Sequence, residues 1–129
     1  MESSSNYTLL LVDDNKDFAK LISKLLEKSG YHVTTRNSGT DAKEYLHKND
    51  CEMVITDMYM KDGNGIDLLD WINHFKSQCK VILMSGILNE ERLAEIHHYE
   101  KKLGQFKTIS KPFEISELVA LIEKSRQQE

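Results

Sequence analysis

Tyr7-Thr8-Leu9-Leu10-Leu11-Val12-Asp13-Asp14 is an almost unbroken apolar run that ends on two adjacent carboxylates. A strand with one wet face alternates apolar and polar residues, whereas a continuous run suits a strand covered on both faces. The period then changes. Over residues 16–28, Phe18, Leu21, Ile22, Leu25 and Leu26 fall at helical spacing, and Gly30 follows as a left-handed stop. The same unit recurs downstream. Residues 31–36 read as an edge strand, and 40–48 as a helix with Ala42, Tyr45 and Leu46 on one face. Residues 52–56 read as a third strand, then a loop with Gly63 and Gly65, then a helix over 67–77. A fourth strand over 80–84 precedes a helix over 89–103, capped by Asn89, with Glu90 and Glu91 in its first turn and Lys101 and Lys102 in its last. Residues 106–110 and 115–126 supply the fifth strand and helix. Successive βα units predict an α/β fold: a parallel sheet with helices on both faces. Residues 7–126 form one domain in this reading, between a flexible stretch over 1–6 and a short tail over 127–129.

Composition narrows the function. The chain has 129 residues, 17 Lys plus Arg against 21 Asp plus Glu, and a net charge of −4. A dedicated nucleic-acid binder needs surplus cations to displace phosphate counterions, so direct nucleic-acid binding is not expected. The longest apolar runs are far below the roughly 20 residues that span a bilayer, and residues 1–6 are not leader-like. Cys51 and Cys79 form no CxxC pattern. Both read as reduced, structural cysteines of a cytoplasmic protein.

In an open parallel sheet, ligands bind at the carboxyl ends of the strands, near the point where strand order reverses. Asp13 and Asp14 follow the first strand, Asp57 the third, Ser85 the fourth and Lys111-Pro112 the fifth. Taken singly, such an aspartate is ordinarily a turn residue or cap, Ser85 a loop hydroxyl and Lys111 a surface cation. Together they converge on one rim. Three carboxylates there repel one another unless a cation compensates them, and an oxygen-only set suits Mg²⁺ better than zinc. A metal, a lysine and a hydroxyl around one carboxylate make a cradle for a phosphoryl group, and the carboxylate can be its acceptor.

Leu10-Leu11-Val12-Asp13-Asp14-Asn15, Ile55-Thr56-Asp57-Met58-Tyr59-Met60 with Gly65, Met84-Ser85-Gly86 and Ser110-Lys111-Pro112-Phe113 resemble, in this order, the motifs of response-regulator (CheY-like) receiver domains. The resemblance spans nearly the whole chain. It implies the doubly wound, flavodoxin-like (βα)5 fold with strand order 2-1-3-4-5. It also implies a phosphoprotein switch of two-component or phosphorelay signalling, rather than an enzyme beyond its own phosphoryl transfer and slow autodephosphorylation. Asp57 would accept the phosphoryl group from a sensor histidine kinase or a histidine phosphotransfer protein. Mg²⁺ would be held by Asp14, Asp57 and the backbone carbonyl of Tyr59, with Asp13 helping through water. Ser85 and Lys111 would contact phosphoryl oxygens, and the Lys111-Pro112 bond would be cis. Output would pass through helix 4, strand 5 and helix 5 to a downstream protein, with homodimerisation left open.

Several positions depart from the family pattern. Lys61 stands where the family often has proline, which predicts a more adaptable loop. Thr108 stands where strand five usually carries a switching aromatic, which leaves Ser85, Thr108 and Pro112 as the switch positions; Phe106 is not given the aromatic's role. Ser85 and Lys111 are 26 positions apart, about one helical turn more than is typical, which predicts an extended helix 4. Tyr59 and Ile87 are bulky and cannot orient water, which predicts slow self-dephosphorylation. Tyr59 also stands where a haloacid-dehalogenase-like hydrolase would have a second aspartate, and the acidic loop after strand one would repel a flavin phosphate. The remaining alternative is a pseudo-receiver, a non-phosphorylated binding scaffold.

Overall fold

The computed structural model describes residues 7–61, 63–86, 89–103 and 106–127, the side chains of 63, 64, 92 and 103 aside. Five strands, β1 (Thr8–Val12), β2 (His32–Arg36), β3 (Met53–Asp57), β4 (Lys80–Ser85) and β5 (Lys107–Ser110), alternate with five helices. The helices are α1 (Lys16–Lys28), α2 (Gly39–Lys48), α3 (Gly65–Phe75), α4 (Glu90–Leu103) and α5 (Ile115–Gln127). The sheet is parallel throughout, in the order β2-β1-β3-β4-β5. This is the doubly wound flavodoxin-like arrangement that the alternating periods predicted, with β2 at an edge. Stretches 1–6 and 128–129, and Ile87 and Gly104, lie outside the described residues.

The period of two in β1 divides the core. Leu9 and Leu11 face one layer with Met53, Ile55, Ile82 and Met84, and pack on Ala19, Ile22 and Leu26 of α1 and Leu118 and Ile122 of α5. Leu10 and Val12 face the other layer with Val54, Val81 and Leu83, and pack on Ala42, Leu46, Leu68, Ile72 and Ile96 of α2, α3 and α4. Leu9, Leu10, Leu11 and Val12 are all essentially inaccessible, and each such side chain contributes about 1.5–3 kcal/mol through burial. The apolar run is therefore continuous because both its faces are interior.

Local signals fix where the chain reverses. Asn15 caps α1 by accepting from the Phe18 N–H at 3.1 Å, which orients the helix directly after Asp13 and Asp14. At the other end Gly30 adopts φ 102°, with Gly30 N–H donating to the Glu27 carbonyl and Tyr31 N–H to that of Leu26. That pair of bonds is a Schellman stop.

Three details differ from the sequence reading. Asp57 and Ser85 are the last rungs of β3 and β4, in register with Met84 and Ser110 respectively, rather than the first loop residues. An antiparallel pair, Tyr59–Met60 with Gly63–Asn64, folds the segment after β3 back on itself. α3 consequently starts at Gly65, whose N–H donates to the Met58 carbonyl at 2.7 Å. α4, at 14 residues, carries Glu90 and Glu91 in its first turn and Lys101 and Lys102 in its last.

Candidate functional site at the carboxyl rim of the sheet

β1 and β3 are neighbours, so their ends deliver Asp13, Asp14 and Asp57 to one place. One oxygen from each carboxylate lies within 4.8 Å of the others. Asp13 is fully buried; the Asp57 side chain retains 14% of its exposure, enough for a reactant to reach it. Burial first, then the charge of Asp13, pushes the Asp57 carboxyl up from 3.8 to about 6; Lys111 opposes this and Asp14 adds to it. Among the described residues the rim is short of positive charge.

Lys111 enters from β5. Its ammonium lies 2.9 Å from Asp13 Oδ2 and 3.6 Å from Asp57 Oδ1. It also sits 4.4 Å from the centre of the Phe18 ring, which packs edge-on against Phe113. The aromatic face restricts where the lysine head can go and adds a cation–π attraction. The Lys111-Pro112 peptide is cis, and the Lys111 N–H donates to the Ser85 carbonyl at 2.7 Å. Ser85 itself is buried. The end of β4 and the loop after β5 are thus joined through the backbone of Ser85 and Lys111.

The backbone around the acidic pair is held on several sides. Asp13 Oδ1 accepts from the Asn15 N–H at 2.9 Å, and the Asp13 carbonyl accepts from Asn37 Nδ2 at 2.9 Å. Asp14 Oδ2 accepts from the Lys61 N–H at 2.9 Å. A proline at position 61 has no such hydrogen to give. The residue that departs from the family pattern therefore gives the acidic rim a backbone hydrogen bond that a proline could not. Gly65 is required on steric grounds: a Cβ there would lie 2.3 Å from the Asp57 carbonyl oxygen and 3.2 Å from Met58 Cα. The loop closes tightly beneath Asp57 because that position has no side chain.

Other predicted positions take distinct places. Tyr59, 37% exposed, donates from its hydroxyl to Glu95 Oε1 of α4 at 2.7 Å, linking the segment after β3 to that helix. Thr108 is half-buried in β5, in register with Leu83. Phe106, just before β5, is buried in the α2–α3–α4 layer near Ile96 and Tyr99. Phe18, Asn37 and Glu95 carry no sequence signal for the contacts they make here, because each contact joins segments far apart in the chain.

A sheet of this order, with acidic and lysine side chains meeting at its carboxyl rim, defines a class of signalling domain. The family model of the response regulator receiver domain matches residues 9–123, and the chain belongs to that family. The response regulator receiver protein CpdR of Brucella abortus (strain 2308) is 32% identical over 120 residues, which cover 90% of this chain and 93% of that protein. The DNA-binding transcriptional regulator NtrC of Azospirillum brasilense is 26% identical over 118 residues, 92% of this chain but only 24% of that protein's length. The fold is shared with the crystal structure of a CheY-like receiver domain protein from Methanospirillum hungatei JF-1, with a TM-score of 0.83, 20% identity and 92% of each chain covered. Among the described residues no helix is long and apolar enough to cross a membrane.

Proposed function

We propose that this receiver domain is a phosphorylation-dependent switch in which Asp57 accepts a phosphoryl group from a sensor histidine kinase or a histidine phosphotransfer protein. The observation that carries the reading is the convergence of Asp13, Asp14, Asp57 and Lys111 on one partly open rim. The donor set fits Mg²⁺: three carboxylates have oxygens in mutual reach, and burial, then the charge of Asp13, raises the Asp57 carboxyl above its usual range. Asp14, Asp57 and the Tyr59 carbonyl would hold the ion, with Asp13 assisting through water. When bound, it would offset the charge of the carboxylates and of the incoming phosphoryl oxygens.

The chain's own residues then divide the work. An Asp57 carboxylate oxygen attacks phosphorus as the P–N bond of phosphohistidine breaks; imidazole leaves and an acyl phosphate forms. Such a transfer is loose and in line, so positioning and charge neutralisation supply most of the catalysis. Lys111, already within reach of Asp57, meets a phosphoryl oxygen, and the Ser85 hydroxyl donates to another. Because the Ser85 carbonyl is bonded to the Lys111 N–H, movement at Ser85 reaches Pro112 and β5. The α4–β5–α5 face, with Thr108 in place of a switching aromatic, then changes its population of states and its affinity for a downstream protein. The bulk of Tyr59, held by Glu95, supports slow loss of the phosphoryl group. The net charge of −4 supports a protein rather than a nucleic-acid contact for this domain, and a cytoplasmic location belongs to the same proposal.

Incubation with phosphoramidate and Mg²⁺, followed by intact-mass measurement, should give one phosphoryl adduct that is lost in Asp57→Asn. A wild-type protein that takes no Asp57-dependent adduct would favour the scaffold reading instead. A phosphoryl half-life of only seconds in Mg²⁺ buffer would remove the slow-decay part.

A further inference from the structure

The two cysteines lie at the opposite end of the sheet. Cys51 lies one residue ahead of β3, beyond Glu52, Cys79 directly precedes β4, and their sulfurs are 3.8 Å apart. A disulfide requires about 2.0 Å, so the thiols are in contact but separate. The strands they precede are adjacent, and the Lys80 N–H donates to the Glu52 carbonyl at 3.1 Å between them. Two central strands thus hold the pair together across a sequence separation of 28. The cysteines line a surface depression of about 410 Å³ with Leu46, Phe75, Lys76 and Asp50, and Phe75 is 63% exposed. Both side chains are half-buried, so a small reagent entering this depression can reach them.

We propose that Cys51 and Cys79 form a dithiol site that low-molecular-weight disulfides oxidise to a reversible intramolecular disulfide. In reducing compartments, disulfides of this kind are transient and responsive. The two thiols are chemically unequal. Hydrogen bonding with Cys79, aided by the Lys76 ammonium, holds the Cys51 thiol below its usual range despite burial and the opposing charge of Asp50. The same partnership and burial push Cys79 well above it. Cys51 is accordingly the attacking thiolate. It attacks one sulfur of a disulfide RS–SR, the S–S bond breaks, and RS⁻ leaves with Cys51 in a mixed disulfide. Cys79 then loses its proton to solvent and attacks the Cys51 sulfur, expelling the second RS⁻. Two electrons pass from the cysteine pair to the reagent, which ends as two thiols after protonation.

The test uses the reduced full chain and glutathione disulfide, with acid quenching and non-reducing intact-mass analysis. The expected product is a monomer lighter by two hydrogen atoms, with both alkylatable thiols lost and both restored by dithiothreitol. Cys51→Ala and Cys79→Ala should each stop at a single glutathione adduct. Two persistent adducts on the wild type, dimers joined between chains, or unreacted thiols would each overturn the site. Limited iodoacetamide labelling of the reduced wild type should mark Cys51 before Cys79; the reverse order would overturn the assigned direction of attack. None of these readouts depends on Asp57 or on Mg²⁺.

Discussion

At the carboxyl end of the sheet, Asp13, Asp14 and Asp57 crowd together while one ammonium serves two of them. At the amino end, charges meet complementary partners. Glu52 accepts from the Thr8 N–H at 2.7 Å, Lys76 pairs with Asp50 at 3.0 Å, Lys80 donates to the Ser125 carbonyl, and Tyr31 donates to Glu123. Burial acts on both ends but with different results. It pushes the Tyr7 phenol up to about 12, which only keeps a neutral group neutral. It pushes Asp57 to about 6, so the carboxyl is still partly protonated at mildly acidic pH where an ordinary aspartate is fully ionised. The contrast teaches where this fold holds unspent electrostatic energy: at the rim where strand ends bring like charges together, not at the rim where they are matched.

The largest expected break in that contrast is Lys111→Ala. Asp13 is fully buried, and loss of its 2.9 Å partner leaves a buried carboxylate uncompensated, at about 3–5 kcal/mol. Urea denaturation at pH 7 in a chelator should show this loss, and added Mg²⁺ should recover part of it through preferential binding to the folded state. A destabilisation below about 1 kcal/mol would mean the rim is already compensated by other means.

A middle-sized effect is expected from pH. The Asp57 carboxyl holds its proton more tightly folded, at about 6, than unfolded, at 3.8. Its contribution is therefore present below the unfolded value and disappears as pH rises through about 6, a change of at most about 3 kcal/mol. In chelator, wild type should lose stability relative to Asp57→Asn between about pH 4 and 6. Parallel stability curves for the two proteins across that window would contradict a carboxyl raised by burial and by its acidic neighbours.

The smallest effect belongs to the matched rim. Asp50→Asn removes a pair whose carboxylate is 96% exposed, and solvent screening limits the change to about 0.5 kcal/mol. A shift several times larger would erase the distinction between the two ends.

Much of this was legible in the chain. Leu9 to Val12 forms an unbroken run because helices cover both faces of β1, and Gly30 marks a stop because its φ is positive. Strand boundaries were less legible. The sequence pattern ends β3 at Thr56 and β4 at Met84, yet backbone pairing carries Asp57 and Ser85 into the ladder. Backbone hydrogen bonds do not depend on side-chain polarity, so no pattern of side chains could mark those rungs. The hairpin between Tyr59–Met60 and Gly63–Asn64 escaped notice for a similar reason: each arm is two residues long, too short for alternation to register.

By itself the sequence determined the layers, the strand-end positions of the acidic residues and the family to which they belong, because these follow from periodicity and from motif order along one chain. Only the tertiary structure decided the close contacts that give those residues their properties. Lys61 lends its N–H to Asp14, Phe18 backs Lys111, Gly65 admits the Asp57 carbonyl, and Cys51 touches Cys79. The Lys61, Phe18 and Cys51 contacts join segments brought near only by packing of the sheet and its helices, whereas the Gly65 approach is set by the local fold of the loop after β3. Distance, burial and local charge depend on that packing, so they cannot be read from spacing along the chain.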